Sequence, residues 1–376
     1  METCYILASE IQKKSKVPKK VKYKAVDFFC GAGGMTNGFR KAGVNVIAGV
    51  DFDHDCRKTY EDNNVGSKFI LADIKTLTFR EFTKQTKIRV GDDHLIFIGC
   101  SPCQYWSKIK TDKKKSEESK NLLNDFRRFV DHYNPGTVVI ENVPGILTKK
   151  VESPLDDFLA FLSTKGYHFD KKVINAMNYG VPQTRRRFLL IASRVNKAVK
   201  LPAPAASPAS VVFDFISEGH GFPVLAAGAK DETSALHITA GLSDLNLLRI
   251  QSTPKDGGTR LSYVDDVALA IPSQFQDTEA FTDTYGRLRW NAPAPTITTK
   301  FISLSNGRFG HPDQDRALSL REGATLQTFD RNYSFYGSSI AAKARQIGNA
   351  VPPFLAEQIA RSIISPQTAE VTASLV

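Results

Sequence analysis

Residues 99–107 read GCSPCQYWS, with Cys100 and Cys103 three positions apart. A free thiol has a pKa near ~8.5, so only a few per cent is thiolate at neutral pH, and a site must activate it or its target. Three chemistries fit the spacing. A zinc centre needs four ligands, and no second C-x-x-C or H-x-x-x-H accompanies this one. A thioredoxin-like pair should open a helix, whereas Pro102 is followed by QYWSKIKTDKKK, which reads as a long loop. The third is a single nucleophile.

Polar groups that could assist such a nucleophile stand at other strand ends. Glu141 follows the apolar run TVVI and opens ENVPGI. A partly buried carboxyl can be kept protonated and donate a hydrogen bond to a substrate nitrogen. In QTRRRFLL, Arg185 and Arg187 are two apart. On a strand they would share one face and Arg186 the other. A pair of guanidiniums facing a site would stabilise negative charge on a substrate oxygen and favour a thiolate. A structural salt bridge is the plainer use of the same groups.

VDFFCGAGGMTNGF is a strand running into a glycine turn and then a helix, with Met35, Phe39 and Ala42 on one helix face. Gly31 and Gly33 would let the backbone approach a ligand closely. The dinucleotide fingerprint needs a glycine where Thr36 stands, which leaves a generic nucleoside site. Asp51 ends the next strand, about twenty residues on, where an acid can hydrogen-bond ribose hydroxyls. Asp73, in LADI, ends another candidate strand and could meet an adenine amino group. Asp51, Asp53 and Asp55 resemble the start of a calcium loop, but Cys56 and Asp62 occupy the positions that need glycine and glutamate. The seven histidines show no metal-ligand spacing, and no metal is expected.

The elements that must position these groups follow from apolar patterning. AVDFF (25–29), VNVIAGV (44–50), HLIFIG (94–99), TVVIEN (137–142) and RFLLIAS (187–193) read as buried strands. Leu122, Phe126, Phe129, Val130 and Tyr133 recur at helical spacing and predict a core-facing helix. Strands alternating with helices predict a parallel sheet covered on both faces. Near residue 195 the texture changes: LPAPAASPAS (201–210) breaks the rhythm, and the chain is irregular to about 300. Helical patterns return at 316–327 and 352–364. The expected fold is α/β, a large Rossmann-like domain with a smaller irregular one and a C-terminal segment returning to the first.

A chain of 376 residues with 41% hydrophobic and 24% charged residues has the composition of a globular protein. It has no apolar run long enough to cross a bilayer, and METCYILASEIQ does not read as a secretory signal. The five cysteines (Cys4, Cys30, Cys56, Cys100 and Cys103) are odd in number and irregularly spaced, as expected of reduced thiols in a cytoplasmic protein. A net charge of +11 points to a polyanionic partner, most commonly nucleic acid. The excess concentrates in KKSKVPKKVKYK (13–24) and in KIKTDKKK (108–115), which directly follows the cysteines.

Taken together, DFFCGAGG (27–34), VDFD (50–53), ADI (72–74), SPCQYWS (101–107), ENVPGI (141–146), QTRRR (183–187), RALSLREGATLQTF (316–329) and RQIGNAVP (345–352) resemble the motifs, in order, of the DNA (cytosine-5-)-methyltransferase family, bacterial restriction-modification type. The resemblance implies a fold with a large S-adenosylmethionine-dependent methyltransferase domain and a smaller target-recognition domain. It implies covalent catalysis on a flipped-out cytosine. Cys103 would attack C6, and Glu141 would contact N3 and the amino group. Arg185 would bind the ring oxygen, with Arg187 in support. S-adenosylmethionine would lie on Phe29, Gly31, Gly33, Asp51, Phe52, Asp73, Ile74, Pro102, Leu122, Asn349 and Val351, and leave as S-adenosylhomocysteine.

The same resemblance divides the chain into a basic N-terminal extension (1–24), a catalytic domain (25–194 with 331–376), and a target-recognition domain with hinge (195–330). The expected partner is double-stranded DNA. Gln104, Ser107, Lys108 and Lys110 would meet it from a mobile loop. Arg249, Arg260, Arg287 and Arg289 could read guanine edges, phosphate contact or a solvated surface being the alternatives. A cognate restriction endonuclease acting separately, a monomeric state and a nucleoid-associated location complete the expectation. Ser101, Trp106, Thr328 and Asp330 depart from the commoner family residues, and none of them replaces a catalytic side chain. A tRNA cytosine methyltransferase, an inactive homologue and a thiol oxidoreductase using both Cys100 and Cys103 are the rival readings.

Overall fold

The computed structural model describes residues 22–101, 121–147, 154–206, 209–234, 236–271 and 283–365. The five apolar runs form the strands expected of them, β1 (Lys24–Phe28), β2 (Asn45–Asp51), β4 (Leu95–Gly99), β5 (Thr137–Asn142) and β8 (Arg186–Ser193), and the chain adds β3 (Lys68–Leu71), β6 (His168–Asn175), the short β7 (Gln183–Thr184) and the short β9 (Ala294–Pro295). The main sheet has seven strands in the order β3-β2-β1-β4-β5-β8-β6. Its first five strands pair in parallel, but β8 is antiparallel to both β5 and β6. The sheet is therefore mixed rather than parallel. The chain between Asn175 and Arg186 is too short for the crossover of a dozen or more residues that a parallel neighbour requires.

Helices cover both faces. On one lie α1 (Gly34–Lys41) and, at the other end of the chain, α10 (Pro353–Ile364). A Cβ added at Gly38 would come within 2.3 Å of the Pro353 carbonyl oxygen, so the two helices meet backbone to backbone. This close approach is what brings the C-terminal segment back to the first strand. The other face carries α3 (Phe79–Thr86), α4 (Leu122–Tyr133) and α5 (Pro154–Thr164). The predicted stripe of α4 is buried throughout, and Phe28 of β1 sits with its ring 5.1–5.4 Å from those of Phe82, Phe97, Phe126 and Phe129. Burying each such ring contributes about 1.5–3 kcal/mol. The short α2 (Arg57–Asn63) follows β2.

A further core joins the irregular region to the glycine loop. Val212 and Ile216 of the single-turn α6 and its N-cap (Phe213–Ile216) pack with Leu288, Ile297, Phe301, Leu318, Phe329, Tyr333, Ile347 and Ala32. It contains residues of α8 (Leu320–Leu326) and α9 (Ile340–Asn349) alike. The expected division at 330/331 runs through this core. The helix α7 (Asp244–Gln251) belongs to a smaller core with Tyr285 and Leu304.

The motif RALSLREGATLQTF owes its local structure to one carboxylate. Ser319 and Glu322 form a reciprocal capping box that starts α8. Glu322 also receives both terminal nitrogens of Arg316, at 2.8 and 2.7 Å, and both residues are fully buried. Among the described residues no helix is long and apolar enough to cross a membrane.

Candidate active site and cofactor pocket

The carboxyl ends of β1, β2, β4 and β5 form one rim, the place where open α/β sheets bind ligands. At β1 the chain leaves the strand with Phe29 at φ 62, Gly31 at φ 48 and Gly33 at φ 86. Asp51 fixes this loop: its two carboxylate oxygens accept from Gly31 N at 2.8 Å and Asp53 N at 2.9 Å. Each oxygen keeps a lone pair for a further donor. Burial pushes the Asp51 carboxyl upward in pKa against the pull of those backbone bonds.

The two glycines differ. A Cβ at Gly31 would meet nothing within 4 Å, which leaves the backbone open to a ligand. A Cβ at Gly33 would lie 2.5 Å from Asn64 Nδ2 and 3.0 Å from the Tyr333 hydroxyl, so that glycine also makes room for protein side chains. Phe52 is 67% exposed, a bare ring beside Asp51, and Asp73 is exposed as well. Ile74 and Leu122 are buried, with Leu122 at the first position of α4. From the C-terminal segment, Val351 reaches the loop, since a Cβ at Gly34 would lie 2.2 Å from its carbonyl oxygen. Asn349 is exposed at the end of α9. The donor set fits a nucleoside with a cationic tail: ribose acceptors, a free aromatic face, a second acid and an open glycine backbone.

Glu141 lies in β5 opposite Leu189 of β8, two residues beyond Arg187. Its side chain is 9% exposed, and Arg187 Nε lies 3.0 Å from Glu141 Oε1. That oxygen nevertheless accepts no hydrogen bond, so it is placed to take one from a ligand. The next residue, Asn142, donates to the carbonyl and hydroxyl oxygens of Ser101 at 3.2 and 3.1 Å. It thereby anchors the chain just ahead of Cys103. Residue types alone did not single out Asn142, although it stands in the ENVPGI motif. Cys100 is beside Glu141; burial, and then the charge of Glu141, push its thiol well above the ordinary range. Cys103, Pro102, Gln104, Ser107, Lys108 and Lys110 lie outside the described residues, as do residues 1–21 of the basic extension.

Arg185 and Arg187 do not share a face. The strand breaks between β7 and β8, with Arg185 N donating to Gln183 O across the break. The alternation that would have aligned the two side chains is lost there. Arg185 is 2% exposed and turns inward, donating to the carbonyls of Ile297 at 3.1 Å, Gly348 at 3.2 Å and Ala350 at 3.0 Å. The guanidinium beside Glu141 is that of Arg187, and the ring-oxygen contact expected of Arg185 is corrected accordingly.

Two arginines of the irregular region are also corrected. Arg287 is fully buried and donates to the carbonyls of Thr253, Ile250, His311 and Gln314, besides pairing with Asp315. Arg249 is buried against Leu269 O, Ala270 O and the Tyr285 hydroxyl. Neither can reach a base edge. Arg289 is exposed and Arg260 is half-buried.

Comparison with known proteins bears on this geometry. The model of the family described as C-5 cytosine-specific DNA methylase matches residues 23–365. The chain is 37% identical over 344 residues to the type II methylase M.HgiDII of Herpetosiphon aurantiacus, covering 90% of this chain and 94% of that one. It is 30% identical to the type II methyltransferase M1.HphI of Haemophilus parahaemolyticus, over 92% of this chain and 87% of that one. Among solved structures, a prophage-encoded candidate DNA modification methyltransferase of E. coli superposes with a TM-score of 0.70 at 20% identity, over 92% of this chain and 100% of the other. The Dnmt2 methyltransferase of S. pombe gives 0.58 at 15% identity, over 93% and 99%. These two share the fold.

Proposed function

Because the chain belongs to the C-5 cytosine-specific DNA methylase family, we propose that it transfers a methyl group from S-adenosylmethionine to C5 of a flipped-out cytosine in double-stranded DNA, through a covalent adduct on Cys103. It is a DNA (cytosine-5-)-methyltransferase; cofactor, adduct and residue roles are what the proposal adds. The observation that carries them is the buried, unfilled Glu141 Oε1 beside Arg187, next to the strand end from which Cys103 follows.

S-adenosylmethionine, when bound, supplies an electrophilic methyl group on a sulfonium. Phe29, Gly31, Asp51, Phe52, Asp73, Ile74, Leu122 and Val351 would hold it, with Pro102 from the cysteine segment. A cytosine stacked in a duplex does not expose C6 to a thiolate, so the base must leave the stack. Glu141 then engages the N3 and amino edge, and Arg187 the ring oxygen. Holding these groups draws electrons from C6. The Cys103 sulfur bonds to C6, which makes C5 nucleophilic toward the methyl group. A solvent base removes the C5 proton, the C5–C6 double bond re-forms, and the C6–S bond breaks to return the thiolate. Ser101, anchored by Asn142, sets where the nucleophile segment begins.

The relatives named type II methyltransferases support a further step: a short specific recognition sequence, protected from a cognate restriction endonuclease. Arg289, Arg260 and the loop residues Gln104, Ser107, Lys108 and Lys110 are the proposed DNA contacts. The test is to incubate the protein with labelled S-adenosylmethionine and separate DNA and RNA pools, then map modified cytosines by bisulfite sequencing. Label in DNA at one short sequence is expected. Label in RNA alone, or in neither, would overturn the reading.

A further inference from the structure

The corrected Arg185 spans a seam. One guanidinium nitrogen donates to Ile297 O, in the segment that leaves the irregular region, and the other to Gly348 O and Ala350 O, at the end of α9. Two buried amides duplicate the bridge. Gln183 Oε1 accepts from Ile297 N at 2.9 Å, while its Nε2 donates to Gln327 Oε1 at 2.9 Å. Gln327 Nε2 in turn donates to Ile347 O at 2.7 Å and Ala350 O at 3.2 Å.

Both ends of this clasp touch something relevant. On one side β9 pairs with β7, and a Cβ at Gly348 would lie 2.4 Å from Thr298 C and Thr299 N. The exit segment and the end of α9 therefore pass backbone to backbone. On the other side Ala350 leads to Val351, whose carbonyl presses on Gly34 of the glycine loop. A planar guanidinium bonded to both sides does not let one move without the other. Packed elements of this kind shift between discrete arrangements rather than deform smoothly.

We infer that Gln183, Arg185 and Gln327 are positioning residues that couple DNA binding by the irregular region to cofactor binding at the glycine loop. The inference rests on the proposed function, which takes Arg260 and Arg289 of the irregular region as DNA contacts. Displacement of segment 294–299 on engaging DNA is transmitted to Ala350 and Val351, and so to the floor on which the cofactor lies. The coupling is reciprocal: bound cofactor tightens DNA by the same factor.

The test measures S-adenosylhomocysteine affinity by calorimetry with and without a duplex carrying the mapped site. In the wild type the duplex tightens S-adenosylhomocysteine by about ten-fold, within the ordinary range for coupled sites. In Arg185→Met the ratio falls below about two-fold, Arg185→Lys retains more of it, and Gln327→Met or Gln183→Met, which leave the guanidinium bridge, lose only part of it. Glu141→Gln, which loses transfer, keeps the wild-type ratio. A ratio unchanged in the clasp variants, whatever their melting temperature or binary affinity, would overturn the inference, as would a wild type without coupling. Should the Arg185 variants fail to fold, Gln327→Met decides: it removes one amide bridge, and its ratio must fall measurably below that of the wild type. A wild type that methylates no DNA would instead sink the functional reading.

Discussion

Arg187 Nε stands 3.0 Å from Glu141 Oε1, close enough for an ion pair, yet that oxygen accepts no hydrogen bond. A buried acceptor left open costs free energy unless a ligand fills it. The pair is thus set for a substrate edge with an N–H donor beside a carbonyl. Glu141→Gln keeps the shape and removes the charge. Methyl transfer in a single turnover should fall about 10²-fold or more, while the melting temperature holds. Arg187→Met should also lose transfer, through an uncompensated Glu141. Full activity in Glu141→Gln would contradict the assignment.

The two neighbouring arginines of the irregular region should separate cleanly. Arg287 has no exposed surface and serves four backbone carbonyls and Asp315. Arg287→Met should cost about 3–5 kcal/mol in urea unfolding, as expected when one partner of a buried pair is removed. Arg289→Ala should leave unfolding unchanged but weaken duplex binding and reduce its salt slope by about one. Equal effects of the two on DNA binding at matched stability would argue against this division.

Glu322 gives a prediction with a pH signature. Burial alone would raise its carboxyl, but the charge and hydrogen bonds of Arg316 outweigh burial and bring it down to about 2. A depressed carboxyl contributes stability that is present above its unfolded value of 4.5 and is lost as pH falls through the folded value. Nearby His311 does not substitute for Arg316: burial pushes it down to about 3 and keeps it neutral. Arg316→Met should therefore cost about 3–5 kcal/mol near neutrality. The deficit should shrink toward pH 4, where the orphaned carboxyl can take a proton. Urea midpoints from pH 4 to 8 would show it, and a deficit independent of pH would contradict it.

Asp27 should behave in the opposite sense. Thr36 Oγ1 donates to its Oδ2 at 2.7 Å, but Oδ1 is buried without a partner. Burial, with a smaller push from Asp51, raises the carboxyl to about 7. A raised acid contributes stability that is full below its unfolded value of 3.8 and is lost as pH rises through about 7. The slope is at most about 1.4 kcal/mol per pH unit. Asp27→Asn should remove that slope, so its thermal midpoint should gain on the wild type between pH 5 and pH 8. A constant difference over that range would show that Asp27 is already ionised.

Much of the fold was legible because its strands are buried on both faces and read as plain apolar runs. β6 was not: HFDKKVIN is an edge strand with Lys171 and Lys172 exposed, so it lacks that run. The mixed sheet was hidden for the same reason, since its direction depends on where β6 lies. Glu141, Asp51 and Gly31 were legible because strand ends are where polar residues interrupt apolar runs. Arg185 and Arg287 were misread because their acceptors are backbone carbonyls from distant segments, which residue types do not reveal. Thr328 shows a local rule overridden: it holds φ 63, where a branched residue is strained, and its hydroxyl accepts from Phe354 N at the start of α10.

The central claim is that Cys103, not Cys100, bonds to a cytosine in DNA. Fluorine at C5 cannot leave as the proton does, so a duplex with 5-fluorocytosine at the mapped site should trap the adduct after methyl transfer. With S-adenosylmethionine present, mass spectrometry should find one denaturation-resistant protein–DNA species cross-linked at Cys103, lost in Cys103→Ser and kept in Cys100→Ser. A cross-link at Cys100, or no cross-link from an enzyme that methylates the ordinary duplex, would contradict the account.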